Sequence, residues 1–147
     1  MFYHLVCVDK LGFIEDKNSP IWFANEIKKY YPKLIKAAPI IIGKKSFESL
    51  PFLQSFSNKI FVISKELPLS RAMQETQDES AVYIIGGQSI FEQTIDMIEG
   101  VILLQVDRIC SMGTIYYRFG NDMRLKLRTN FGKNQLLRFD REWQYDN

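Results

Sequence analysis

Ile84-Ile85-Gly86-Gly87-Gln88-Ser89-Ile90-Phe91 runs from an apolar strand through two glycines into the first turn of a helix. Backbone without Cβ can approach a phosphate closely, and free N–H groups at a helix start attract anions. A Gly-Gly pair alone is also what any tight strand-to-helix turn requires. The same order recurs upstream in Ile42-Gly43-Lys44-Lys45-Ser46-Phe47-Glu48-Ser49, now with cations and a hydroxyl. Taken alone, Lys44 and Lys45 read as a solvated basic helical turn. Two such turns together suggest a long anionic ligand held at two points, such as a dinucleotide. The Gly-x-Gly-x-x-Gly fingerprint is absent, so this is not the common Rossmann arrangement.

Outward from these turns, short apolar runs alternate with helical patterns. Strands are expected at residues 2–8, 39–43, 60–63, 82–85 and 101–106, each short and apolar enough to be buried on both faces. Residues 23–35 carry Ile27, Tyr30, Tyr31 and Leu34 at helical spacing, with a break or bend expected at Pro32. Further helices are expected at 44–50, at 70–77 with Ser70 as cap, and at 89–98. Residues 12–20 read as a loop, and no full strand is expected between 65 and 80. Alternating strands and helices imply a mainly parallel sheet covered on both faces. The last third differs: Met123 to Arg128 and Leu137 to Trp143 alternate apolar and polar residues around a turn at 130–134 containing Gly132. That pattern predicts a half-exposed antiparallel hairpin closing the sheet.

The chain has 147 residues, 46% hydrophobic and 24% charged, which suits one α/β domain over residues 1–147. A net charge of +2 does not by itself imply a nucleic acid or membrane partner. Two cysteines and one histidine make neither a disulfide framework nor a metal set, and Cys7 and Cys110 read as buried thiols. The apolar start is interrupted by His4 and ends at Asp9 without a cleavage pattern, and no run approaches the ~20 residues of a membrane helix. A soluble, cytoplasmic domain is expected.

A third element is Asp9-Lys10-Leu11-Gly12-Phe13-Ile14, followed by Asn18-Ser19-Pro20-Ile21-Trp22 and Asn25-Glu26-Ile27. Glu26, near a helix start and close to a buried strand, could manage a proton. On local evidence alone it reads instead as a first-turn carboxylate favoured by the helix dipole.

Together these motifs resemble the dihydrofolate reductase family over nearly the whole chain. The family's Asp-Arg-x-Gly-x-Ile-Gly and Asn…Leu-Pro-Trp correspond to Asp9–Ile14 and Asn18–Trp22. Its Met-Gly-Arg-x-Thr-[Trp/Phe]-Glu-Ser corresponds to Ile42–Ser49, and its Ile-Gly-Gly-x-x-[Ile/Val]-[Tyr/Phe] to Ile85–Phe91. Leu136 to Trp143 resembles the closing strand. The resemblance implies a three-layer dihydrofolate-reductase-like fold, with NADPH on the carboxyl edge of the sheet. It also implies hydride transfer to C6 of dihydrofolate with protonation at N5.

By the same resemblance Glu26 and Trp22 are catalytic. The interval from Trp22 to Glu26 is one residue shorter than the family pattern, and a gapless alignment would put Ile27 in the acid position; Glu26 is preferred because no folate site would place Ile there. Val6, Cys7, Tyr30, Leu50 and Asn58 fall at substrate positions with Glu26. Cys7, Ile14, Gly43, Lys44, Lys45, Ser46, Ser64, Lys65, Ile85, Gly86, Gly87, Gln88, Ser89 and Ile90 fall at cofactor positions. The family default is a monomer.

There are four departures from the pattern. Asn58 stands where the family has an Arg that clamps the substrate's α-carboxylate, and an amide is a poor replacement for a planar fork. Leu104 stands where a Thr supports the acid. The interval from Ser64 to Gly86 is shorter and lacks the edge strand beside the adenine. Gln88 and Glu15 replace glycines. A binding domain without folate reduction, or a pyrimidine reductase of riboflavin synthesis, are the alternatives. Residues 118–141 hold seven Lys/Arg against two Asp, read here as the solvated side of a hairpin rather than a nucleic-acid surface.

Overall fold

The computed structural model describes residues 1–15, 24–109, 114–116 and 122–142. Its elements begin with β1 (Phe2–Val8), β2 (Phe13–Glu15), α1 (Ala24–Ile35), β3 (Ile40–Gly43), α2 (Lys44–Ser49), a 3-10 turn (Pro51–Ser55) and β4 (Ile60–Ile63). They continue with α3 (Leu69–Thr76), β5 (Val82–Gly86), α4 (Gln88–Thr94), β6 (Gly100–Gln105), β7 (Thr114–Ile115), β8 (Met123–Phe131) and β9 (Asn134–Arg141).

Seven strands form one sheet in the order β4-β3-β5-β1-β6-β9-β8. The pairings among β1, β3, β4, β5 and β6 are all parallel. β9 runs antiparallel to β6, and β8 antiparallel to β9. The strict alternation of a strand sorts the apolar residues into two layers. Leu5, Cys7, Ile40, Ile42, Ile102 and Leu104 share a cluster with Tyr31 and Ile35 of α1 and with Leu50 and Leu53. Val6, Val8, Ile41, Ile84 and Val101 share the other with Ala72 of α3 and Ile90 and Phe91 of α4. Each such Val, Leu, Ile or Phe side chain, buried on folding, is worth roughly 1.5–3 kcal/mol. The central strands therefore anchor both layers.

The structure corrects several expectations. Residues 13–15 are not loop but β2, which pairs antiparallel with β7, a pairing of segments too short to show a period. Helix α1 is not broken at Pro32 but continues to Ile35, because Tyr31 and Ile35 are both buried and hold the last turn in place. Ser70 does not cap α3: Pro68 is the N-cap, with no side-chain cap, and its carbonyl accepts from Arg71 and Ala72 N–H. Helix α4 stops at Thr94 rather than Ile98, and Arg141 donates to the Ile95 and Ile98 carbonyls beyond it.

The hairpin is longer than the alternation implies and turns tightly on Gly132 and Lys133, with Gly132 at φ +62°. Its inner strand buries Leu136 and Leu137. Leu125 and Leu127 of β8 are exposed, because β8 is the edge strand and its register shifts between them. Trp22, Cys110 and Trp143 lie outside the described residues.

Candidate active site

The parallel strands β1, β3, β5 and β6 end on one edge of the sheet, and the chemistry-bearing residues gather there. Glu26 sits in the first turn of α1, where the helix dipole favours an anion. Arg108, just past the end of β6, donates from Nη2 to Glu26 Oε1. Glu26 Oε2 is buried and has no hydrogen-bond partner. A carboxylate oxygen in that state is an acceptor waiting for a donor. Cys7 of β1 stands in register with Leu104 of β6, and both are buried in the same apolar cluster. Burial pushes the Cys7 thiol well up; the Glu26 charge adds to this and Arg108 opposes it, which places Cys7 within electrostatic reach of both. Arg108 was not singled out from the sequence. A cation in a strand-end loop carries no local signal of its partner.

The two glycine turns meet on the adjacent ends of β3 and β5. A Cβ on Gly43 would lie 3.1 Å from Ile90 Cδ1 and 3.5 Å from the Gly86 oxygen. A Cβ on Gly87 would lie 3.0 Å from Ser46 Oγ. Gly86 is at φ +140°, a region that L side chains avoid, and the Gly86–Gly87 peptide is cis. Thus Gly43, Ser46, Gly86, Gly87 and Ile90 form one compact group. Lys44, Lys45, Lys65 and Ser89 are exposed. Ser64 Oγ accepts from Leu67 N–H. Gln88 Nε2 donates to Glu92 at 3.1 Å, while Gln88 Oε1 is buried without a partner.

The remaining positions divide. Ile85 and Leu50 belong to the same cluster as Cys7 and Leu104. Val6 belongs to the opposite one, so its side chain points away from Cys7. Ile14, on β2, packs against that opposite layer. Tyr30 stacks on Phe131 of β8, with centroids 5.4 Å apart. Asn58 is engaged elsewhere: Nδ2 donates to the Lys36 and Ala38 carbonyls, both at 2.7 Å. It thereby pins the turn after α1, where Lys36 takes φ +52°. Among the described residues no group of His, Cys, Asp and Glu could hold a metal ion, and no helix is long and apolar enough to cross a membrane.

The sequence profile of the dihydrofolate reductase family matches residues 1–136. The chain belongs to the dihydrofolate reductase family. A dihydrofolate reductase of Mycoplasma genitalium is 28% identical over 109 residues, covering 63% of this chain and 68% of that one. A solved dihydrofolate reductase from Enterococcus faecalis, in complex with NADP(H) and RAB-propyl, superposes with a TM-score of 0.76. It covers 96% of both chains at 12% identity, so the dihydrofolate reductase fold persists where the sequence has drifted far. This chain sets Glu26 in the first turn of α1 and brings its two glycine turns side by side at the ends of β3 and β5. At Leu104 it carries an apolar side chain, and the partner that reaches its carboxylate is the Arg108 guanidinium.

Proposed function

We propose that the chain catalyses NADPH-dependent reduction of 7,8-dihydrofolate to 5,6,7,8-tetrahydrofolate, with a hydride added at C6 and a proton at N5. The observation that carries this reading is Glu26. It is the first-turn carboxylate within electrostatic reach of Cys7, with one buried oxygen open.

Glu26 accepts N–H groups from the amidine-like edge of the pterin, orienting the ring against Cys7. A negative charge held on that edge favours uptake of the proton at N5. Leu50, Leu104 and Cys7 keep the surroundings apolar, which strengthens the charge-assisted hydrogen bonds. Tyr30 offers an aromatic face, and Val6 takes part only through its backbone. Trp22 is assigned its catalytic role on the family motif alone. Asn58 has already used both amide hydrogens, so its contribution at the substrate tail is at most an acceptor.

The residues present fit the cofactor: Gly43 and Gly87 leave a cradle that a Cβ would close against Ile90 and Ser46. When bound, NADPH supplies the hydride. In this reading Gly43, Gly86, Gly87, Gln88, Ser89 and Ile90 hold its pyrophosphate. Lys44, Lys45, Ser46, Ser64 and Lys65 hold its ribose phosphates, Cys7 and Ile85 wall the nicotinamide, and Ile14 of β2 is assigned to the nicotinamide ribose on the family motif alone.

The chain is taken to act as a monomeric single domain in the cytoplasm, where a thiol such as Cys7 stays reduced. Nucleic acid is not a partner in this reading. Much of the basic hairpin is neutralised internally: Arg124 and Lys126 pair with Glu142, and Arg138 with Asp140. The test is NADPH absorbance followed with and without dihydrofolate. Dihydrofolate-dependent oxidation is expected, and its absence at high enzyme concentration refutes the function.

A further inference from the structure

We propose that Arg108 is the positioning residue of Glu26, fixing Oε1 so that the buried Oε2 is presented as the acceptor for the substrate's N–H edge. The inference rests on the proposed function and goes beyond it, because neither the motifs nor the family pattern gives this position a role.

Three observations carry it. First, the neighbour across from Cys7 is Leu104, fully buried and without a polar atom in its side chain. Nothing on that strand position can orient a carboxylate. Second, Arg108 is held where it can do so. Its carbonyl accepts from Lys10 N–H at 2.9 Å, and its own N–H donates to the Val106 carbonyl at 2.8 Å. The preceding Asp107 is tied to Lys10 Nζ at 2.5 Å and, through its N–H, to Asn134 Oδ1 at 2.9 Å. The loop after β6 is thus fastened to the turn after β1 and to the start of β9, and the guanidinium extends from a fixed base. Third, the pairing is one-sided. Oε1 is occupied, while Oε2 is buried and open.

A long Glu side chain in the first turn of a helix otherwise samples several rotamers, most of them directed to water. A guanidinium on one oxygen selects the rotamer that aims the other inward. It also supplies the counter-charge that a carboxylate beside apolar side chains needs. Arg108 touches neither pterin nor nicotinamide in this scheme. It acts through Glu26.

The experiment is a double-mutant cycle on the full chain. Arg108→Gln, Arg108→Lys and Glu26→Gln, singly and combined, are compared by the Kd for dihydrofolate, read from tryptophan fluorescence quenching. They are also compared by kcat and KM with saturating NADPH, and by thermal unfolding. Arg108→Gln is expected to weaken dihydrofolate binding and raise KM by about tenfold, ~1.4 kcal/mol. NADPH affinity and melting temperature should hardly change. Arg108→Lys should recover most of the loss. In the Glu26→Gln background, Arg108→Gln should change the Kd less than about twofold, because there is no carboxylate to position.

An unchanged Kd and KM in Arg108→Gln, with wild-type turnover intact, refutes this inference alone. So does tighter substrate binding in that variant, which would mean that the ion pair competes with the substrate. An equal loss in both Glu26 backgrounds would mark Arg108 as a general structural residue and equally overturns the proposal. Wild-type protein that neither binds nor reduces dihydrofolate refutes the proposed function, and this inference with it.

Discussion

Tyr116 Oη lies 2.6 Å from His4 Nδ1 in the interior of the protein, and the neighbouring bonds decide which of them donates. Thr94 Oγ1 spends its only proton on the Ile90 carbonyl at 2.7 Å, so at 2.7 Å from His4 Nε2 it must accept. His4 is therefore the Nε2–H tautomer, and its bare Nδ1 accepts from the Tyr116 hydroxyl. One fully buried imidazole links β1, α4 and the segment after β7. Tyr116 N–H donates in turn to the Gly12 carbonyl at 2.9 Å, tying this network to the turn that leads into β2.

Protonating His4 would break that chain of bonds, and burial lowers its pKa from 6.5 to about 3. The unfolded chain takes up a proton near the ordinary value and the folded chain refuses it, so stability falls as pH drops through the window from 6.5 to about 3. The full extent is on the order of 5 kcal/mol. Urea unfolding between pH 7 and 5, above most carboxylate titration, should show this slope. His4→Gln should be less stable at pH 7 and should flatten the slope; an unchanged slope would show that another group titrates there.

Glu26→Gln keeps the shape of the acid and removes its charge. Hydride transfer to dihydrofolate at neutral pH should slow at least about tenfold, ~1.4 kcal/mol of barrier. NADPH affinity should be nearly unchanged, since the cradle at Gly43 and Gly87 is built from other elements. Single-turnover absorbance and cofactor fluorescence measure the two separately.

Gly87→Ala puts a methyl group 3.0 Å from Ser46 Oγ, where the neighbour must shift for it to fit. NADPH binding should weaken by roughly tenfold or more. The double variant Gly87→Ala/Ser46→Gly should relieve the clash and recover part of that affinity. Wild-type protein should also prefer NADPH to NADH, because Lys44 and Lys65 can meet a 2′-phosphate. Equal dissociation constants by fluorescence quenching would mean that these lysines are only solvated.

Asn58→Leu removes two hydrogen bonds to the Lys36 and Ala38 carbonyls and leaves the left-handed Lys36 without its tie. A loss of roughly 1–3 kcal/mol in chemical denaturation is expected. Asn58→Asp should be no better, since a carboxylate cannot donate to either carbonyl. A stability change below ~0.5 kcal/mol for both would show that the turn holds without it.

Local chemistry in the sequence is rich where the chain meets its own neighbours. Apolar runs of strand length, closed by glycines and followed by helical spacing, mark β1, β3, β4, β5 and β6 within a residue or so. The same logic marks the two glycine turns and the first-turn placement of Glu26. Propensity misjudged α1, because the buried Tyr31 and Ile35 outweigh the disruption expected of Pro32. It also misjudged the cap of α3 and the end of α4, each set by backbone or distant side-chain partners.

The order of elements, the parallel character of the central sheet and the residue types gathered at its edge are legible along the chain. Those follow from period, length and turn chemistry, which act over a few residues. Which distant groups meet is settled by the folded arrangement alone. Arg108 reaches Glu26 across 82 positions, and His4 reaches Tyr116 across 112. The β2–β7 pair and the shifted register at Leu125 and Leu127 belong to the same class. A buried polar group must find a partner wherever the fold brings one, and no spacing along the chain encodes which one that will be.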